Sequence, residues 1–342
     1  MMTNHQQSKG TILVITIWIL MILSLLSLGL SYRMGLELKL TAHNMQAVQS
    51  FYLAKAGIIR TITELYNDPR PDFDTLKESW GNNKTVFKEY HLGPGSFTVN
   101  RNYFPNADDP EEKTIFYGAE DEQSKININQ APYYILVNLF ELLDEDREIA
   151  ANIIDWRDKD SIPGNNGDGY GAEDGFYEGL GKKYPCKNKP IEILDELLMV
   201  KDITPELFNK IKPYITIYGE GTVNINTAPP IVLLALGLEK NVVDRIIEYR
   251  AGEDGIESTF DDRSFVNTIL ILKSLDEEIG LANEEKASLH NILSKKPAIL
   301  DVKSTYFTIS ATGTVSNTKK YIEVVLKRKD QTAPEILFWQ EN

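Results

Sequence analysis

Between Lys9 and Arg33 the chain carries no charged side chain. The run from Thr11 to Tyr32 is mostly isoleucine, leucine and other apolar residues, relieved by a few serines, threonines and one glycine. About 20 apolar residues in a helix cover roughly 30 Å, the thickness of a bilayer's hydrocarbon core. This segment can therefore span a membrane, and the rest of the chain is what an anchored helix carries. A secretory signal peptide has a shorter apolar region followed by a small-residue cleavage site. Here a short polar leader ending in Lys9-Gly10 precedes the apolar run instead.

Beyond Arg33 the helix is predicted to continue. Leu36, Leu40, Ala47, Phe51, Ala54, Ile58, Ile62 and Leu65 recur at three- and four-residue steps, with one longer gap, and form one apolar stripe. Asn67-Asp68-Pro69 stops it, because proline cannot continue a helix. A helix of about 55 residues is roughly 80 Å long. Half would lie in the membrane and half would support a head, which the residues alone read as an anchor plus a stalk.

The polar leader ending in Lys9-Gly10, the uncharged span and its amphipathic continuation together resemble a type IV prepilin or a type II secretion pseudopilin. The resemblance implies cleavage by a prepilin peptidase between Gly10 and Thr11, and N-methylation of the new Thr11 amine. Most such proteins carry glutamate at the fifth mature position, where this chain has Ile15. In a fibre that glutamate neutralises the terminal amine of a neighbour, and an unpaired carboxylate in lipid is costly. A subunit without it inserts poorly beneath another subunit but can sit at the tip. Within the family, this departure resembles the large minor pseudopilins of the general secretion pathway protein K type.

After the helix the patterning changes. Thr85–Tyr90 and Ser96–Arg101 read as short strands with turn residues at His91–Gly95 between them, and Thr114–Tyr117 reads as a third. Two segments then repeat each other: Ile126–Phe140 and Val223–Gly237 align at an offset of 97 residues, matching at Asn-Ile-Asn and Ala-Pro. Each precedes a second apolar helix, Ala150–Arg157 and Val243–Arg250, and a third related helix pair is predicted at Ile193–Leu198 and Pro205–Lys212. An internal repeat of this kind means copies of one helical unit packed together. Helices over Phe265–Lys273 and Asn283–Leu293 follow. Thr305–Val315 and Lys320–Arg328 read as a hairpin around Ser316–Lys319 that completes the sheet, and the apolar tail Pro334–Trp339 is placed on the sheet or on a partner.

The repeats resemble helix-hairpin-helix modules, some of which bind DNA through backbone N–H groups of a glycine-rich hairpin. Here the hairpin positions are Leu143–Asp146 and Leu236–Asn241, and neither keeps a Gly-x-Gly core. With 50 acidic against 36 basic residues, the chain has a net charge of −14. Phosphate contacts need clustered lysine and arginine, so no nucleic-acid partner is expected. A single cysteine, Cys186, excludes an intramolecular disulfide.

Between the repeats runs an acidic, glycine-punctuated stretch carrying Asp155, Asp158, Asp160, Asp168, Glu173 and Asp174. Oxygen-rich flexible loops suit calcium, which takes six to eight oxygen ligands, although the spacing is not an EF-hand. The residues alone leave a solvated acidic loop as the alternative. The resemblance to protein K, with its comparable Asp-Trp…Gly-Ala-Glu-Asp stretch, implies a structural calcium site on these six residues.

No catalytic set is legible: the histidines are unpaired in sequence, and neither glycine cluster is followed by Lys-Ser/Thr. No enzyme is expected. The expected fold class is α+β: a type IV pilin-like fold, its long N-terminal helix packed on an antiparallel sheet, with a large inserted α-helical domain of two helix-hairpin-helix or SAM-like repeats. The boundaries expected are a leader at 1–10, a transmembrane half-helix at 11–32, the first part of the pilin-like domain at 33–123, the insertion at 124–296 and closing strands at 297–342. The resemblance implies a minor pseudopilin of type II secretion, anchored once in the inner membrane with its C-terminal part in the periplasm. Its partners would be other minor pseudopilins in a tip complex, the prepilin peptidase, and secreted cargo or the outer-membrane channel. Two alternatives stand beside it: a minor pilin of a DNA-uptake or motility pilus, and a single-pass envelope binding protein outside any fibre.

Overall fold

The computed structural model describes residues 8–164, 171–181, 183–329 and 332–342. Helix α1 runs unbroken over Ser8–Tyr66. It ends where the Asn67 N–H bonds the Thr63 carbonyl, one residue short of Asp68-Pro69. It is long and apolar enough to cross a membrane. The apolar stripe divides in two. Leu36 and Leu40 stay exposed, whereas burial against the head begins near Ala47 and includes Ala54, Ile58 and Leu65.

That second half of α1 lies on an antiparallel sheet of strands β1 (Tyr90–Leu92), β2 (Gly95–Val99), β3 (Glu120–Asp121), β4 (Tyr306–Val315), β5 (Thr318–Lys327) and β6 (Glu335–Glu341). The order is β1-β2-β4-β5-β6, with β3 beside β4. Residues of β4 alternate between buried and half-buried, as a strand covered on one face must. Helix and sheet meet at Gly313, where a Cβ would lie 1.9 Å from the Ser50 carbonyl oxygen. Only glycine permits that approach. Leu53, Ala54, Ile58, Phe97, Val99, Phe307, Ile309, Ile322 and Val324 form this core.

Several strand predictions are corrected. Thr85–Tyr90 is not a strand: Lys84–Phe87 forms a one-turn helix because the Asn83 side chain accepts from the Thr85 and Val86 N–H groups. An N-cap of this kind outweighs β propensity over so short a stretch. The second predicted strand leaves the sheet after Val99, and Arg101–Tyr103 pairs instead with Thr114–Phe116 in a separate ladder. The hairpin β4–β5 turns on two residues, Ser316 and Asn317, tighter than expected. The tail is the edge strand β6, paired with β5.

Between β3 and β4 lies a second core with its own repeat. Its longer helices are α2 (Tyr133–Leu142), α3 (Glu148–Arg157), α4 (Pro205–Ile211), α5 (Pro230–Ala235), α6 (Lys240–Arg250), α7 (Ile271–Glu278) and α8 (Asn283–Leu293), with a single turn at Asp174–Tyr177. Each copy is longer than a helix pair. The first opens at Ile126–Asn127 and closes on a parallel ladder with Ile215–Thr216; the second opens at Val223–Asn224 and closes with Leu300–Asp301. In the first, Asn129 exchanges two hydrogen bonds with the Ile191 backbone; in the second, Asn226 does the same with Phe265. Arg157 donates to the carbonyls of Ile128 and Ala131, and Arg250 to those of Ile225 and Ala228. The Asn-Ile-Asn motif is therefore a set of anchors, each pinning a distant strand or loop. The predicted third helix pair, now a 3-10 turn at Leu194–Met199 and α4, belongs to the first copy. The predicted helix at Phe265–Lys273 starts late, at Thr268, because Asn226 holds Phe265 and Asn267 caps the turn.

Candidate functional site

The described parts of the acidic stretch, 155–164 and 171–174, meet at the end of α3. Asp155 is fully buried, and its Oδ1 accepts the Gly164 N–H at 3.0 Å. A Cβ at Gly171, where φ is +132°, would lie 2.0 Å from Asp155 Oδ2. The glycine punctuation is thus needed to bring the backbone onto a buried carboxylate. Burial pushes Asp155 up to about 6, against the pull of the Gly164 and Ala172 N–H groups. Trp156 meets Tyr177 edge to face at 5.1 Å between centroids, closing the base of the loop.

Three of the six predicted carboxylates converge. Asp158, Asp160 and Glu173 each offer an oxygen, all within 4.8 Å of one another. Among the described residues, Asp158 Oδ1 and both Glu173 oxygens are buried without a hydrogen-bond partner. Burial, then the charges of Asp155, Asp158, Asp160 and Asp174, pushes Glu173 up to about 7. Burial and Asp160 raise Asp158 as well. Two oxygens on one calcium ion at 2.3–2.6 Å can be no more than about 5 Å apart. The donor set is all oxygen, since the Cys186 thiol points to the Asp155 and Ala172 carbonyls. The residues therefore fit calcium, and the orphaned Glu173 oxygens are what a cation would satisfy.

The other three predicted residues sit differently. Asp155 serves the Gly164 backbone, and Asp174 Oδ1 accepts the Cys186 N–H at 2.8 Å. Asp168 lies outside the described residues. Gly10 and Thr11 lie in the exposed first turns of α1, and Ile15 is half exposed among apolar neighbours. The first carboxylate along α1 is Glu37, which pairs with Arg33 at 3.1 Å.

The second repeat has a corresponding loop with other contents. Glu248-Tyr249-Arg250-Ala251 stands where the first has Asp155-Trp156-Arg157-Asp158. Glu257, nearly buried, pairs with Arg250. Asp261 accepts from the Glu253 and Asp254 N–H groups and the Thr259 hydroxyl, which together hold it down at about 2. Asp262 accepts from the Ser258 and Thr259 N–H groups. Sequence patterning does not show this division, because it depends on which carboxylates find backbone donors.

A family model described as type II secretion system (T2SS), protein K matches residues 109–220. The chain is 26% identical over 341 residues to the type II secretion system protein K of Aeromonas hydrophila, covering 96% of this chain and 95% of that one. It is 23% identical over 248 residues to the protein K of Klebsiella pneumoniae, covering 66% of this chain and 68% of the relative. Among solved structures, a chain in the GspK-GspI-GspJ complex of the enterotoxigenic Escherichia coli type 2 secretion system superposes with a TM-score of 0.62 at 18% identity, covering 90% of this chain and 99% of that one. That likeness shows the fold: a long N-terminal helix, an antiparallel sheet and a helical insertion.

Proposed function

This chain belongs to the type II secretion system protein K family and is a minor pseudopilin; from that premise we propose that it occupies the tip of the periplasmic pseudopilus, initiating or capping assembly and supporting export of folded proteins across the outer membrane. The observation that carries the reading is where the insertion attaches. Phe73, just past the end of α1, joins the core of the insertion, and the Asp74 N–H bonds the Val302 carbonyl at 2.8 Å. The bulk thus sits at the end of the stem away from the apolar span. A further subunit stacked above would meet it, whereas subunits added below would not.

The exposed apolar half of α1 holds the protein in the inner membrane as a single pass and then packs in the fibre core. With Ile15 in place of a carboxylate, α1 has nothing to pair with the terminal amine of a subunit above it. Processing at Gly10–Thr11 by a prepilin peptidase frees the N-terminus for methylation. The partners are other minor pseudopilins, as in the complex of GspK with GspI and GspJ from the relative, and secreted cargo or the outer-membrane channel lies beyond. The role is binding and assembly, with no catalysis. Asp158, Asp160 and Glu173 would hold calcium, which when bound supplies the positive charge these buried oxygens lack. The ion would tie the long loop to the end of α3.

Co-expression with minor pseudopilins and a prepilin peptidase tests the reading. The mature chain is expected to begin at methylated Thr11 and to co-purify with its partners, and Gly10→Ala is expected to remain full length. Trimming of Gly10→Ala at the same bond, or no partner retained, would overturn it.

A further inference from the structure

A second group of carboxylates lies just beyond the end of α1, remote in sequence from the acidic loop. Asp68, Asp74 and Glu78 each offer an oxygen, all within 4.8 Å of one another. Asp74 is fully buried. Its Oδ2 accepts from Arg328 at 2.6 Å and from the Ser304 N–H at 2.7 Å, while its Oδ1 is buried with no partner among the described residues. Asp68 accepts the Arg70 N–H at 2.9 Å through Oδ1, and its Oδ2 lies 3.4 Å from Arg328. Glu78 Oε2 accepts the Trp80 indole N–H at 2.6 Å, and its Oε1 is also buried with no partner among the described residues.

Three carboxylates thus cluster beside one guanidinium, which reaches Asp68 and Asp74. Arg328 takes one edge of the group, and two buried oxygens have no donor among the described residues. Burial, followed by the charges of Asp68 and Asp74, pushes Glu78 up to about 8. Burial pushes Asp74 up to about 7 against the pull of Arg328. An uncompensated buried carboxylate is unfavourable, so these oxygens take up either a proton or a cation. The oxygens fit inside the roughly 5 Å that two ligands of one calcium ion can span.

We propose that Asp68, Asp74 and Glu78 hold a second calcium ion, flanked by Arg328, at the joint between stem, sheet and insertion. Asp74 makes this a joint. Its carbonyl accepts the Asn224 side-chain N–H at 3.1 Å and its carboxylate accepts the Ser304 N–H, so it touches both the second repeat and the run into β4. An ion there braces the insertion against the end of the stem. This site stands independently of the acidic loop.

Equilibrium dialysis against calcium, on the detergent-solubilised full chain at mildly alkaline pH, counts the ions bound. Wild type is expected to bind one equivalent more than Glu78→Gln, and Glu173→Gln is expected to retain that equivalent. Asp68→Asn, at a half-buried position, gives the same comparison if Glu78→Gln fails to fold. A single ion lost in Glu78→Gln but kept in Glu173→Gln would remove the loop site and uphold this one. An unchanged count in Glu78→Gln and Asp68→Asn would overturn the proposal and leave a proton shared between Asp74 and Glu78.

Discussion

After Arg157 the chain gathers Asp158, Asp160 and Glu173 with inner oxygens that find no donor among the described residues; after Arg250 it places Asp261 and Asp262 on hydrogen bonds from their own loop and pairs Glu257 with the arginine. The two arginines register the difference. Burial lowers Arg157 to about 10, with only Asp158 pulling the other way. Burial also acts to lower Arg250, but Glu257 and Tyr103 outweigh it and the group is raised. The same clamp has thus been finished in two ways. In one loop the carboxylates are paired, and in the other Asp158, Asp160 and Glu173 form a cluster that could hold an ion. Repeated architecture fixes the backbone anchors and leaves the electrostatics of each loop free to diverge.

The sharpest way to break this contrast is steric. Gly171→Ala would place a Cβ 2.0 Å from Asp155 Oδ2 at a φ of +132°, whereas Gly255 in the second loop, at φ +70°, has nothing within 4 Å of its Cβ position. The first substitution is expected to cost on the order of 3 kcal/mol, and Gly255→Ala about 1 kcal/mol. Denaturant midpoints compare them, and equal costs would mean the first loop is not held against Asp155.

Calcium gives the next effect in size. At a free concentration a hundredfold above its dissociation constant, a ligand of the folded state adds about 2.7 kcal/mol. Melting of Glu173→Gln is expected to lose the increment that depends on the loop, while Glu257→Gln keeps the full calcium response on a lower baseline. A calcium response that falls equally in both would end the distinction between the loops.

The last comparison is in pH, and its signs are opposite. Without calcium, Asp155 and Glu173 titrate in the folded state at about 6 and 7, above their usual values of 3.8 and 4.5. Between those values the folded chain binds more protons than the unfolded one. Stability from this loop therefore falls as pH rises from about 4 to 7. Asp261, held at about 2, contributes stability above its ordinary value of 3.8 that is lost as pH falls towards 2. Melting curves of Glu173→Gln and Asp261→Asn across pH separate the two slopes, and slopes of one sign would contradict the assignment.

Much of the fold is legible in the sequence where periodicity is long. The apolar run of α1, the alternation of Tyr306–Val315 and the doubled Asn-Ile-Asn are visible because many residues repeat one signal. Lys84–Phe87 is not, since a single Asn83 side chain decides it. The extent of each repeat is hidden because its closing ladder is two residues long and pairs Ile126–Asn127 with Ile215–Thr216. Composition and the family resemblance point to the acidic stretch, but which carboxylates turn inward depends on backbone donors such as Gly164 and Cys186. The group around Asp74 is hidden for a different reason, because Arg328 reaches it from 254 residues away.

The secretion assignment is tested most directly by deleting the gene in the native host and weighing protein in the culture medium against DNA uptake and surface motility. Loss of exported proteins with uptake and motility intact, restored by the wild-type chain, is the result expected of a secretion pseudopilin. Intact export with lost uptake or motility would contradict it and place the chain in a type IV pilus.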